Sequence, residues 1–206
     1  MKMIDISQEV FSCRVFPGDP APAAQRLTRM EDGALYNLSA FSMCAHNGTH
    51  ADAPLHFCRG GKTIDELGLA PFVGPCCVAR HEGEVGAEDA EGILRAAAEL
   101  GCAERILIAG KACVTAGAAR VFAEAGILLL GNESQTVGPE DAPAEVHLIL
   151  LGAGAALLEG LVLDGVEAGR YFLSAAPLKL GGFEGAPCRA VLIEVDGSGE
   201  TGGAHD

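Results

Sequence analysis

The chain has 206 residues, and 49% of them are hydrophobic. That is enough apolar material for one core and too much for a disordered chain, so a single domain over 1–206 is expected. Fourteen Lys and Arg stand against 28 Asp and Glu, a net charge of −14 with no basic cluster, which makes nucleic acid and anionic membranes poor partners.

No apolar run approaches the ~18 residues that cross a bilayer. The N-terminal MKMIDISQEV lacks the apolar stretch of a secretory signal, so a reducing cytoplasm is the expected setting. Eight cysteines occur, at 13, 44, 58, 76, 77, 102, 113 and 188, without a Cys-x-x-Cys pair. Most read as small buried hydrophobes, and no local feature marks one as a nucleophile.

In chain order, Met3–Ile6 reads as a brief strand, and FPGDP at 16–20 as a loop punctuated by Pro-Gly and Asp-Pro. Residues 34–44 alternate roughly and predict a strand, as do 72–80. Thr63-Ile-Asp-Glu66 has the form of a capping box opening a short helix. Residues 88–100 predict a helix closed by Gly101, followed by a buried strand over 105–109. Residues 115–125 predict a second helix closed by Gly126, followed by a strand over 127–130. Residues 140–151 look helical, and short strands are expected near 157–158, 171–173 and 190–195. The pattern is an α/β centre between β-rich ends, with a frayed Gly-rich tail at 197–206.

Three of the six histidines fall in one eleven-residue stretch, His46-Asn-Gly-Thr-His50-Ala-Asp52-Ala-Pro-Leu-His56. Imidazole and carboxylate together suit Zn²⁺, Mn²⁺ or Fe²⁺ better than Ca²⁺ or Mg²⁺. Gly48, Asp52 and Pro54 disfavour a helix. An extended chain would point positions 46, 50, 52 and 56 to one side, with Gly48 leaving room for a metal or substrate. A surface loop that happens to hold three histidines is the bland alternative. A Ser-His-Asp triad is weaker still, since no G-x-S-x-G occurs and no serine is singled out, and the absence of H-E-x-x-H leaves zincin-type proteolysis without support.

Downstream, His147 and Glu159 each sit in an apolar run, twelve residues apart. A buried carboxylate is costly unless paired or metal-bound. Each has an ordinary reading, a satisfied core histidine and a partly exposed strand end. Beside the first cluster they suggest a second metal position. His81 and His205 read as solvated.

HNGTHADAPLHF resembles the H-x-G-T-H-x-D-x-P-x-H motif of the cyclase-like metal-dependent hydrolases, the family of bacterial kynurenine formamidases and isatin hydrolases. The resemblance extends over most of the chain. FPGDP at 16–20 is similar to the family's tryptophan-Pro-Gly-Asp loop, and FVGPCCV at 72–78 to its next strand. Leu158-Glu159-Gly160-Leu161 is similar to its E-G-L segment, and 177–180 and 186–190 to its P-L-K-L and P-x-R-A patterns.

The resemblance implies a swivelling β/β/α fold, a β-barrel-like core with outer helices. It implies a first metal on His46, His50 and Asp52. Asp52 would bridge to a second metal on His147 and Glu159, with Glu159 able to reach both. The metals would be two Zn²⁺ per subunit, with Mn²⁺ the alternative. His56 would transfer protons, and Phe16 would face the substrate. The activity implied is hydrolysis of a non-peptide C–N bond by an arylformamidase of tryptophan catabolism, turning N-formyl-L-kynurenine into L-kynurenine and formate. The assembly implied is a homodimer or homotetramer. Departures stand beside it. Phe16 replaces the family's tryptophan, Glu133 and Gly138 replace two aspartates, and Ala109-Gly110 replace an arginine-threonine pair. A cyclic amide or lactone such as isatin therefore stays open as the substrate, and so does a non-catalytic metal-binding role.

Overall fold

The computed structural model describes residues 1–194, so the expected tail and His205 lie outside the described residues. The chain runs β1 (Met3–Asp5), β2 (Ala23–Thr28), β3 (Leu38–Ser42), β4 (His50–Asp52), β5 (Val73–Arg80), β6 (Gly83–Val85) and α1 (Ala87–Glu99). It continues through β7 (Arg105–Ala109), β8 (Ala112–Val114), α2 (Ala116–Glu124), β9 (Leu129–Asn132), α3 (Ala144–Gly152) and β10 (Ala156–Glu159). β11 (Gly169–Ser174), β12 (Gly185–Pro187) and β13 (Val191–Ile193) follow.

Nine strands form one mixed sheet in the order β1-β13-β11-β5-β7-β9-β10-β4-β12. β5, β7, β9 and β10 pair in parallel, while both flanks pair antiparallel. Parallel neighbours need long crossovers, and α1, α2 and α3 supply them. This is the expected α/β centre between β-rich ends.

Alternation along the central strands feeds two cores. Leu107, Leu129 and Leu158 join an inner core. Ile106, Leu130 and Leu157 join an outer one with Phe122 of α2 and Leu150 of α3. Both faces of the centre are buried, which is why RILIA at 105–109 reads as an unbroken apolar run. The inner core also gathers Leu192 from one flank and Ala186 from the other. Side chains from both ends of the sheet thus share one interior, which is the barrel-like core expected. At Gly131 a Cβ would lie 2.8 Å from both Leu107 Cδ2 and the Leu158 carbonyl oxygen, so only glycine lets the strand pass between them.

Several expectations need correction. Thr63–Glu66 forms a turn, not a helix; Glu66 does accept the Thr63 N–H at 2.9 Å, but Gly68 and Pro71 follow and no further turn is built. α3 begins at Ala144, not Glu140, because proline disfavours the helical region for the residue before it, here Ala142 ahead of Pro143. β2, β6, β8 and β12 were not read from the sequence, being short or polar. Only Cys76, Cys77 and Cys102 are buried, and the other five cysteines are partly exposed.

The packing predicts that Phe122→Ala lowers stability by about 3–5 kcal/mol, since a fully buried aromatic would leave a cavity between α2 and the sheet. Urea unfolding should show the midpoint falling at unchanged slope.

Candidate metal centre

The segment 46–56 is not one extended strand, so the same-side parity reading fails as geometry. Cys44 and Asn47 close a turn, with the Cys44 N–H donating to Asn47 Oδ1 at 2.8 Å. Gly48 follows at φ +66°, and the extended stretch 50–53 is short before Pro54–His56 forms a single 3-10 turn. Gly48 does not leave room for a metal. Its Cβ would lie 3.0 Å from Cys13 Cβ, so its role is the turn itself.

The side chains converge nonetheless. β4 and β10 pair antiparallel with His50 opposite Glu159, which brings the downstream glutamate onto the motif. α3 leads into β10 and presents His147 to the same place, so the twelve-residue spacing is one helix, one turn and one strand. Glu159 Oε1 lies 3.1 Å from His147 Nε2, and Glu159 Oε2 lies 3.4 Å from His50 Nε2. Asp52 sits between, with Oδ1 at 2.9 Å from His46 Nδ1 and 3.5 Å from His50 Nε2. Its Oδ2 is 3.6 Å from His147 Nε2 and 4.0 Å from His56 Nε2.

Backbone carbonyls set the tautomers. His50 Nδ1–H donates to the Gly48 oxygen at 3.0 Å, and His147 Nδ1–H donates to the Pro143 oxygen at 2.9 Å. Each therefore turns Nε2 toward the carboxylates, the arrangement that suits a metal ligand. His46 stacks on His56 with ring centroids 4.1 Å apart, and its Nε2 meets Glu184 Oε1 at 3.3 Å.

The electrostatics are severe. Asp52 is fully buried and Glu159 is 2% exposed. Burial alone would raise both carboxyls, but the surrounding imidazoles hold them below the usual carboxylate range. Burial likewise opposes charge on His46, yet its hydrogen bond to Asp52 and the nearby carboxylates raise it to about 9. His50 and His147 are also raised, against burial, by Glu159 and Asp52. His56 is lowered by burial and by His46 and His147. It is the most open of the four, its side chain 28% exposed against 1% for His50.

These residues fit a divalent cation. Asp52 Oδ2 is buried without a hydrogen-bond donor, an oxygen that costs several kcal/mol to leave bare. His46, Asp52 and His56 offer ligand atoms within 4.8 Å of one another, and so do His50, Asp52 and Glu159. Asp52 belongs to both groups. Carboxylates and imidazoles of this kind suit Zn²⁺ or Mn²⁺.

A cavity of ≈240 Å³ opens on the cluster. Phe16 lines it beside Asp19, Phe57, Gln135, Thr136 and Pro143. Sequence reasoning assigned no role to these five or to Glu184. Asp19 stood in the 16–20 loop already singled out, and Gln135 and Thr136 in the 131–138 segment noted for its departures at Glu133 and Gly138. A larger cavity, ≈560 Å³ and lined by Arg14, Arg80 and Lys111 with several carboxylates, holds none of the site's histidines, so the smaller one is the chemical site. Cys76 and Cys77 have thiols pushed up to about 12 by burial, consistent with inert packing.

A family model described as "Putative cyclase" matches residues 4–137. The kynurenine formamidase of Salinibacter ruber is 35% identical, the match covering 93% of this chain and 97% of that one. A solved structure described as a potential metal-dependent hydrolase with cyclase activity is 30% identical with TM-score 0.76, covering 93% of this chain and 96% of that chain. Isatin hydrolase A from Labrenzia aggregata, at 23% identity, shares the fold with TM-score 0.77 and covers 93% of each chain.

A divalent cation held only by the folded state should raise the melting temperature, and a chelator should lower it. Asp52→Asn keeps the shape and removes the charge shared by both groups. It should abolish the cation-dependent shift and lower bound metal measured by elemental analysis. A variant with full metal content would show that Asp52 is not a ligand.

Proposed function

The chain belongs to the cyclase family, and on that premise we propose that it is a metal-dependent amide hydrolase whose best single substrate is N-formyl-L-kynurenine. The observation that carries this is Asp52, buried, short of one donor and shared by two groups of possible ligands. His46, His50 and Asp52 would hold a first ion and His147 and Glu159 a second, with Asp52 reaching both. We take the ions as Zn²⁺, with Mn²⁺ the alternative. When bound, such ions lower the pKa of water and polarise a carbonyl oxygen.

The rest belongs to side chains of this chain. Phe16 and Phe57 form the apolar wall on which an aryl ring packs and from which water is excluded. An aniline nitrogen leaves poorly unless protonated. His56 is the most exposed of the four imidazoles that line the cavity, and its Nε2 lies 4.0 Å from Asp52, farther than any other cluster contact, which supports a proton-carrying role. That its atoms also group with His46 and Asp52 makes a ligand role the competing assignment.

A second substrate rests on the departures from the family's pattern. Phe16 stands where the family's formamidases carry tryptophan, and together with Glu133, Gly138 and Ala109-Gly110 it is the ground for a cyclic amide or lactone such as isatin. We further infer a homodimer or homotetramer, and a reducing cytoplasmic setting, which eight free thiols support. No helix among the described residues is long and apolar enough to cross a membrane.

The metal-loaded enzyme should release formate from N-formyl-L-kynurenine faster than it opens isatin; the reverse order would move the assignment to cyclic amides. His56→Ala should keep its metal and lose on the order of 10²–10⁴-fold in anilide hydrolysis. A nitrophenyl ester, whose leaving group departs as a stable anion, should lose far less. Equal losses on both substrates, or loss of metal, would assign His56 to ligation.

A further inference from the structure

The larger cavity, ≈560 Å³, takes no part in the chemistry above, yet it has the size and place of a ligand site. Small-molecule sites run from ~300 to ~1,000 Å³. This one opens where the parallel strands end. Arg80 is the last residue of β5, Gly110 follows β7, Glu133 follows β9 and Leu163 lies just beyond β10, and all four line it. Crevices outside the carboxyl ends of parallel strands are where α/β sheets bind their ligands. Backbone hydrogen bonds fix one wall. Glu133 accepts the Gly110 N–H at 2.6 Å through one oxygen and the Leu163 N–H at 2.9 Å through the other, which ties the chain after β7 to the chain after β10. Gly110 adopts φ +107°, and a Cβ there would strike the His81 carbonyl oxygen, so only glycine lets the chain bend here. Gly110, Glu133 and Gly138 are positions at which the chain departs from the family's pattern, and all three line this cavity. Its shape therefore belongs to this chain.

The charges on the walls say what fills it. Among the described residues the ion pairs of Lys and Arg engage Lys2, Arg105, Arg120 and Arg189, and the cavity's Arg14, Arg80 and Lys111 are in none. Arg80 is held in place by its Nη2, which donates to the Val166 oxygen at 2.9 Å. Four carboxylates share the same walls. Those of Glu133 and Glu82 are tied to backbone N–H groups, Glu82 to that of Lys111 at 3.2 Å. Glu140 and Asp164 stand exposed on the rim. Opposite charges thus line one cavity without meeting across it. A simple anion would face four carboxylates, and a simple cation three basic groups. A molecule that carries both charges gives each set its partner. We propose that this cavity is a second ligand site, for a zwitterionic α-amino acid whose carboxylate meets Arg14, Arg80 and Lys111 and whose ammonium meets Glu140 and Asp164. Leu163 and Ala112 leave apolar wall for its side chain. The site stands back to back with the histidine cavity. Glu133, Ser134 and Gly138 line the one, and Gln135 and Thr136 the other. Buried Asn132 donates at 3.3 Å to the oxygens of Ala112 and Thr136, one in the wall of each cavity.

This goes beyond the hydrolase reading and stands without it, because bound molecules are counted and no turnover is read. L-Kynurenine serves as the probe, an aryl amino acid with both charges. Equilibrium dialysis on the full metal-loaded chain should count one more bound molecule per chain in the wild type than in the double variant Arg14→Gln with Lys111→Gln. That difference holds whether or not the histidine cavity takes the probe as well. Both side chains are exposed, so the change removes no buried contact, and an unchanged circular dichroism spectrum checks the fold. Glu140→Gln with Asp164→Asn, at the opposite pole, should weaken the same site about tenfold or more. Kynuramine, which lacks the carboxylate, and benzoylpropionate, which lacks the amine, should each bind it about tenfold or more weakly than L-kynurenine. Equal counts in the wild type and both folded double variants would overturn the proposal. Benzoylpropionate bound as tightly as L-kynurenine would overturn it too, by making the cavity a site for anions.

Discussion

Two buried carboxylates beside one another are the constraint on which this molecule depends. Asp52 and Glu159 both lie away from water, and each raises the other's cost of ionisation. A hydrophobic core tolerates such a pair only with positive charge at close range. Four imidazoles provide it here, and their own shifts record the debt: His46, His50 and His147 are raised in spite of burial. Protons on the rings and a divalent cation are alternative ways to balance the same two carboxylates. The chemistry and the stability of the site are therefore one problem.

The motif between 46 and 56 was legible because its residue types are costly anywhere else. The pairing of His147 with Glu159 was legible too, though only as two polar residues set in apolar runs. What could not be read was the path. Same-side parity assumed an extended chain, whereas the Asn47–Gly48 turn and the Pro54 3-10 turn bring the side chains together by bending it. Turns of this kind depend on a side-chain oxygen and a positive φ, which periodicity does not report. Glu184 comes from a loop distant in sequence, and nothing local distinguishes it, while Gln135 lay in the 131–138 segment that stood out only for its departures at Glu133 and Gly138. The central strands and the first two helices were legible for the opposite reason. Their apolar runs and closing glycines at 101 and 126 are local signals. β2 escaped because its residues AAQRLT are mostly exposed, so neither face alternates against a core.

The order of the sheet explains why the motif depends on the downstream half of the chain. His46, His50, Asp52 and His56 belong to a flank whose strands join the parallel centre of the sheet through β4 on β10. Were that register to slip by one residue, Glu159 would turn to the other face and His50 would lose its opposite partner. The register is held from behind, not from within the site. Leu158 and Ala51 pack into the inner core, and that packing forbids the slip.

A polar clamp behind the site does the remaining positioning. Thr49 Oγ1 donates to the Gly160 oxygen at 2.6 Å and accepts the Gln8 N–H at 2.9 Å, while Gln8 Nε2 donates to that same oxygen at 2.8 Å. Gln135 Nε2 donates to the Gly48 oxygen at 3.0 Å, the oxygen that also orients His50. A Cβ at Gly160 would meet Gln135 Nε2 and the Gly48 oxygen at 2.2 Å, at φ +67°. The two glycines thus let two carbonyls and three side chains meet where β4 begins and β10 ends. Hydrogen bonds to backbone, not contacts among the ligands, decide which nitrogen each histidine presents. A rigid carbonyl on one side of an imidazole is what keeps the other side ready for a cation, and that readiness is built into the backbone before any cation arrives.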